Sequence, residues 1–185
     1  ADNLKIFSPQ SPVQIPGLPA VVSDVDRFQP YDVNLLVDNS QRKSPPVIIE
    51  EYPTYRNIFG AIERVVDRGG VWRTDYSKIK AGSLVKANGG FLVINLKDAI
   101  IEPGVWQALK RALKSKKLEI QTFDPMYFFT TTGIKPEPIE LKVKVVIIGD
   151  AYLYQILGYF DEDLRKIFKV RADLDTAMPK DDQNI

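Results

Sequence analysis

Two short runs are apolar at nearly every position. They are Phe91-Leu92-Val93-Ile94-Asn95-Leu96 and Val143-Lys144-Val145-Val146-Ile147-Ile148. Each is too short for a helix and lacks the alternation of a half-exposed strand, so both predict strands buried in a sheet. Between them the period changes. Trp106, Leu109 and Leu113 recur at helical spacing and predict a helix over 105–117. Ile58, Phe59, Ile62, Val65 and Val66 predict a second helix over 57–66, with Asn57 as N-cap and Gly69-Gly70 as the stop. Ser77 is placed to cap a third, over 78–87, which Asn88-Gly89-Gly90 ends. Tyr152, Ile156 and Tyr159, with Leu153 and Leu157, define a fourth, whose stripe reads as core or as a subunit contact. Shorter strands are expected at 33–37, 47–49, 118–121 and 170–174, a loop at 71–77, and a long loop or hairpin at 124–138. Strands alternating with helices predict an α/β fold, a parallel sheet flanked by helices on both faces.

Proline sets the expected boundaries. Pro9, Pro12, Pro16, Pro19 and Pro30 mark residues 1–30 as an irregular arm or linker. The α/β domain is expected over 31–178, with a polar tail at 179–185. The 185 residues are 44% apolar and 26% charged, with a net charge of +1, which is globular composition without a global pull toward polyanions. There is no cysteine and no histidine. Thiolate nucleophiles, Cys/His zinc sites and histidine-based triads are therefore excluded. No apolar run approaches the roughly 18 residues of a membrane span. A cytoplasmic, reducing location is the expectation.

Ligands of parallel sheets gather at the carboxyl ends of the strands. Here those ends carry Asn95, Asp98 and Asp150. Phe91 to Asn95 has the form of a nucleotide motif in which the last residue touches metal-bound water, with neutral Asn95 where a carboxylate is usual and Asp98 three residues on. The competing reading is that Asn95 and Asp98 cap the next element. The phosphate cradle G-x-x-x-x-G-K-[ST] is absent, as is G-x-G-x-x-G. Lys110, Arg111, Lys114, Lys116 and Lys117 form a basic run, read as a solvated face or as a nucleic-acid surface. The pairs Glu50-Glu51 and Asp181-Asp182 lack partners at a catalytic spacing; neighbours on a strand point to opposite faces.

Longer stretches carry a resemblance. Pro53-Thr54-Tyr55-Arg56-Asn57-Ile58-Phe59-Gly60-Ala61-Ile62-Glu63, then Thr74-Asp75-Tyr76, Ile79-Lys80-Ala81-Gly82-Ser83-Leu84-Val85-Lys86-Ala87-Asn88-Gly89-Gly90-Phe91-Leu92-Val93 and Trp106-Gln107-Ala108-Leu109-Lys110-Arg111-Ala112-Leu113 occur in this order. Pro136-Glu137-Pro138-Ile139, Lys144-Val145-Val146-Ile147-Ile148-Gly149-Asp150 and Phe168-Lys169-Val170 continue it. The ensemble, from about Tyr31 to about Asp175, resembles the AAA+ portion of the bacterial Lon-like ATP-dependent proteases. Two histidines of the family pattern are Tyr76 and Val85 here.

The resemblance implies an AAA+/P-loop-like core lacking its phosphate loop, set in a homo-oligomeric ring that passes unfolded protein to a separate Ser–Lys peptidase domain. It implies Trp72 and Tyr76 as pore-loop aromatics, with a fold-back onto their own domain as the alternative. Asn95, Asp98 and Asp150 become remnants of a nucleotide site, and Arg165 and Lys166 candidates for an arginine finger. No cofactor is expected in this chain; ATP and Mg enter only with an upstream phosphate loop, which would make the chain part of an active ATPase. A basic nucleic-acid-binding module is the remaining alternative, with nucleic acid otherwise an unexpected partner and no membrane expected.

Overall fold

The computed structural model describes residues 31–66, 70, 72–121 and 134–175. The chain divides into two compact units, Ala1–Leu35 and Leu36–Ile185, and every element below lies in the second.

The fold is α/β, built on a three-stranded parallel sheet. Its strands are β1 (Val47–Glu50), β6 (Phe91–Asn95) and β9 (Lys144–Ile148), in the order β1-β6-β9. The register pairs Ile48 with Leu92 and Leu92 with Val145, so one face carries Ile48, Leu92, Ile94, Val145 and Ile147. That face meets the helices α1 (Tyr55–Phe59), α2 (Ser83–Lys86), α3 (Leu96–Ile101) and α4 (Val105–Ser115). Leu92, Ile94, Leu84, Leu109 and Ile58 are almost wholly buried there. Each such side chain contributes about 1.5–3 kcal/mol relative to exposure. Two further helices follow β9: α5 (Ala151–Phe160) and α6 (Glu162–Ile167), with α6 packed on α4.

Several expectations change. The strands at 91–96 and 143–148 are present, but neither is buried on both faces: in β6 only Leu92 and Ile94 are buried, and in β9 Val145 and Ile147 are half-buried. Val146 and Ile148 are exposed, because among the described residues no helix covers the second face of the sheet. The expected helix over 57–66 is only Tyr55–Phe59. Its N-cap is Thr54, whose hydroxyl accepts the Asn57 N–H, and Asn57 lies inside it. Gly60, at φ 90°, stops the helix. The next residues enter two small antiparallel pairs, β2 (Ala61–Ile62) with β5 (Ile79–Lys80) and β3 (Val65–Val66) with β4 (Trp72–Arg73). The expected helix over 78–87 becomes a 3-10 turn at Tyr76–Lys78 capped by Asp75, then β5 and α2. Gly82 precedes α2 because the chain crosses itself there: a Cβ on Gly82 would lie 2.3 Å from the Gly60 nitrogen.

No strand forms at 33–37, although Leu36 and Val37 pack on the core. None forms at 170–174, where the Arg171 guanidinium lies over the Tyr154 ring at 4.7 Å. The helix predicted over 105–117 ends at Ser115; Lys116 turns left-handed at φ 54° and Lys117 enters β7 (Lys117–Leu118), paired with β8 (Ile139–Glu140). This pair replaces the strand expected at 118–121. Most of the loop expected at 124–138 lies outside the described residues.

The glycine crossing generates a prediction. Gly82→Ala should cost about 3 kcal/mol, since backbone rather than a flexible side chain meets the added methyl. Gly158→Ala in α5 meets only the Arg165 side chain, at 3.4 Å. It should be neutral or stabilise by up to about 1 kcal/mol. Urea unfolding of the two variants checks both.

Candidate functional site

The carboxyl edge of the parallel sheet gathers Glu50, Asn95 and Asp150. Asn95 pairs with Ile148, two residues before Asp150, so both stand at the same end of neighbouring strands. Each side chain already accepts hydrogen bonds from its own neighbourhood. The Asn95 side-chain oxygen accepts the N–H groups of Lys97 (2.9 Å) and Asp98 (3.3 Å) and caps α3. Asp150 accepts the Leu153 N–H at 2.7 Å and caps α5. Asp98 sits exposed in the first turn of α3, where a carboxylate complements the helix dipole. Glu50 accepts the hydroxyl of buried Ser83 and the N–H of Tyr52, tying the end of β1 to the start of α2. Among the described residues no group of three acidic side chains could hold a metal ion.

The other candidates lie elsewhere. Trp72 is on β4, opposite Val66 in the β3–β4 ribbon. Both Val65 and Val66 are exposed, so the β3 strand is open on its two faces. Tyr76 lies in the 3-10 turn and is half-buried. The base of the ribbon is fastened: the Thr74 hydroxyl donates to the Glu63 carbonyl (2.7 Å), and the Glu63 N–H donates to the Lys78 carbonyl (3.0 Å). Arg165 and Lys166 are exposed on α6. The Arg165 guanidinium lies against Gly158 of α5, and Lys166 pairs with Glu162 at 3.4 Å.

Sequence reasoning missed a clamp. Lys110 belongs to the run expected to face solvent, yet it is buried. Its ammonium meets the Asp161 carboxylate at 2.6 Å, with side-chain exposures of 7% and 13%. Trp106 donates its indole N–H to the same carboxylate oxygen (2.8 Å), while the second oxygen caps α6 through the Asp163 N–H (3.0 Å). Asp161 is at once the last cap of α5 and the first of α6. One carboxylate thus fixes the elbow between them onto α4. Lys114 pairs with Asp163 at 2.6 Å, so a second cation of the basic run is also neutralised. The available signal was the Asp-Glu-Asp sequence at 161–163, an N-cap pattern. The stripe Tyr152, Ile156, Tyr159 is exposed rather than core, and Phe160 extends it.

Burial pushes the Asp161 carboxyl upward, but the hydrogen bonds from Lys110, Trp106 and the Asp163 N–H, with the Lys110 charge, outweigh it and hold the group below its ordinary 3.8. Hydrogen bonding from Lys114 lowers Asp163 likewise.

With this geometry in place, the chain is a parallel α/β module of AAA type. It belongs to the LonB-like AAA domain family, whose model matches residues 43–175. No curated protein matches it. Among solved structures it is similar to NtrX from Brucella abortus, at 15% identity over 68% of this chain and 25% of that one, with a TM-score of 0.42. The chain thus spans a quarter of that protein's length. No helix among the described residues is long and apolar enough to cross a membrane.

Asp161→Asn should lower stability by about 2 kcal/mol at pH 7, because it leaves a buried ammonium without its counter-charge. A folded-state value below the unfolded one means that the clamp's contribution is present above the unfolded value and is lost as pH falls through the folded value. Urea titrations at neutral pH and below about pH 3 should show the variant's deficit shrinking with acid.

Proposed function

We propose that the chain is the AAA module of a Lon-like protease, acting in the cytoplasm by assembly and by passage of unfolded polypeptide toward a separate Ser–Lys peptidase domain. It breaks no bond itself. Family membership supports the setting. The observation that carries the passage role is the β3–β4 ribbon, fastened at its base and apolar on the open faces of β3, with Trp72 on its second strand. A tryptophan at this point of the chain suits that role, since a large flat side chain grips extended chains by apolar contact without selecting sequence. The exposed α5 stripe supports subunit contact, since contiguous exposed apolar surface marks interaction sites. Arg165 then faces a neighbouring subunit, on the helix that the Asp161 clamp fixes.

Asn95, Asp98 and Asp150 are the remnants of a nucleotide site in this reading. Without a glycine-rich loop, no row of backbone N–H groups and no lysine meets the phosphates. The basic-module alternative is the weaker one, because Lys110 and Lys114 are committed to Asp161 and Asp163.

Two measurements test this. The 185-residue chain should turn over no ATP; measurable hydrolysis refutes that part. In the complete protease, Trp72→Ala should slow degradation of an unfolded protein about tenfold or more while sparing short peptides, since only the protein must be pulled. Equal losses on both substrates would count against translocation.

A further inference from the structure

The excursion between α1 and α2 is closed at its neck. It leaves at Gly60 and returns at Gly82, where the two backbones pass so closely that neither position has room for a Cβ. Just beyond the neck Ala61–Ile62 pairs with Ile79–Lys80, and the Glu63 N–H donates to the Lys78 carbonyl (3.0 Å). The β3–β4 ribbon, with Trp72 on β4, stands past these bonds. A loop closed in this way turns as one body about its neck, so whatever orients the neck on the sheet orients the ribbon. Ile62, Ile79 and Ala81 hold the neck on the core by apolar contact. Such contact is not directional, whereas a hydrogen bond is.

One hydrogen bond stands at this place. Ser83, the first residue of α2 and the next after the neck, is 3% exposed. Its hydroxyl donates to the carboxylate of Glu50, 33 residues away at the end of β1. The second carboxylate oxygen accepts the Tyr52 N–H (3.2 Å), which ties the group to its own strand end. By alternation Glu50 follows Ile48 on the covered face of the sheet, toward α2, while Glu51 is exposed. A bond to a carboxylate with its donor buried is strong, and costly to lose.

We infer that Glu50 is a positioning residue for the ribbon: through Ser83 it fixes the neck to the carboxyl end of β1. That end belongs to the same edge as Asn95 and Asp150, so a change at the edge that draws the Glu50 carboxylate away reaches the ribbon through a single bond. The anchor stands on the contacts just given; its part in function rests on the passage reading.

Amide exchange of the 185-residue chain tests the anchor. Ser83→Ala should speed exchange of the Glu63 amide about tenfold or more, as loss of a bond to a carboxylate implies. The Phe91 and Lys144 amides, which bond across the sheet at 2.8 and 2.9 Å, should keep their rates. Glu50→Ala should act alike, and the double variant should be little faster than either single one, since both remove one interaction. Unchanged Glu63 exchange overturns the inference. So does equal acceleration at all three amides, which means a general loss of stability, and so does full additivity. In the complete protease, Ser83→Ala should slow degradation of an unfolded protein at least about threefold and spare short peptides. If Trp72→Ala slows it and Ser83→Ala does not, the anchor has no part in passage and the inference falls. If neither does, the passage reading falls, and the exchange rates alone decide the anchor.

Discussion

The structure depends on three parallel strands that follow one another across the sheet in one direction. That order places every crossover helix on one side, where Leu92 and Ile94 of the central strand meet Leu84, Ile58 and Leu109. It also makes β9 an edge strand whose apolar composition exceeds its burial. The composition of a strand reflects the environment it is adapted to. The environment seen around β9 covers only half of it.

Around this sheet the chain is held by a few close contacts. Gly60 and Gly82 let two segments cross backbone to backbone, and Gly90 lies where a Cβ would meet the Pro46 carbonyl at 2.0 Å. At the far end, the Asp161 carboxylate joins α4 to the α5–α6 elbow through Lys110 and Trp106. A paired charge at that depth contributes little net stability, but losing one partner is costly, so the pair fixes geometry more than it adds strength. The geometry it fixes includes the direction of α6 and the exposed Arg165.

At the sheet's carboxyl edge the capping reading holds for Asn95, while Asp98 lies inside the first turn of α3. Asn95 and Asp150 are N-caps, and the nucleotide reading rests on family membership and strand position, not on free acceptors. Trp72 and Tyr76, close in sequence, occupy different elements: Trp72 is in the open ribbon, while Tyr76 is in a half-buried turn nearer its base. The basic run divides similarly. Lys110 is inside, Lys114 is paired, and Arg111, Lys116 and Lys117 remain exposed.

The sequence by itself determined the strands β6 and β9, the α4 stripe of Trp106, Leu109 and Leu113, the α/β class and the family, because apolar periodicity and ordered motifs are local properties of the chain. Tertiary structure decided the rest. A helical spacing at 57–66 was broken by Gly60, since that backbone had to pass Gly82, a contact between residues 22 apart. Lys110 went inside because Asp161, 51 residues away, was there to receive it. Which face of each strand is buried was settled by the direction of the crossovers, a property of strand order that no window of neighbouring residues contains.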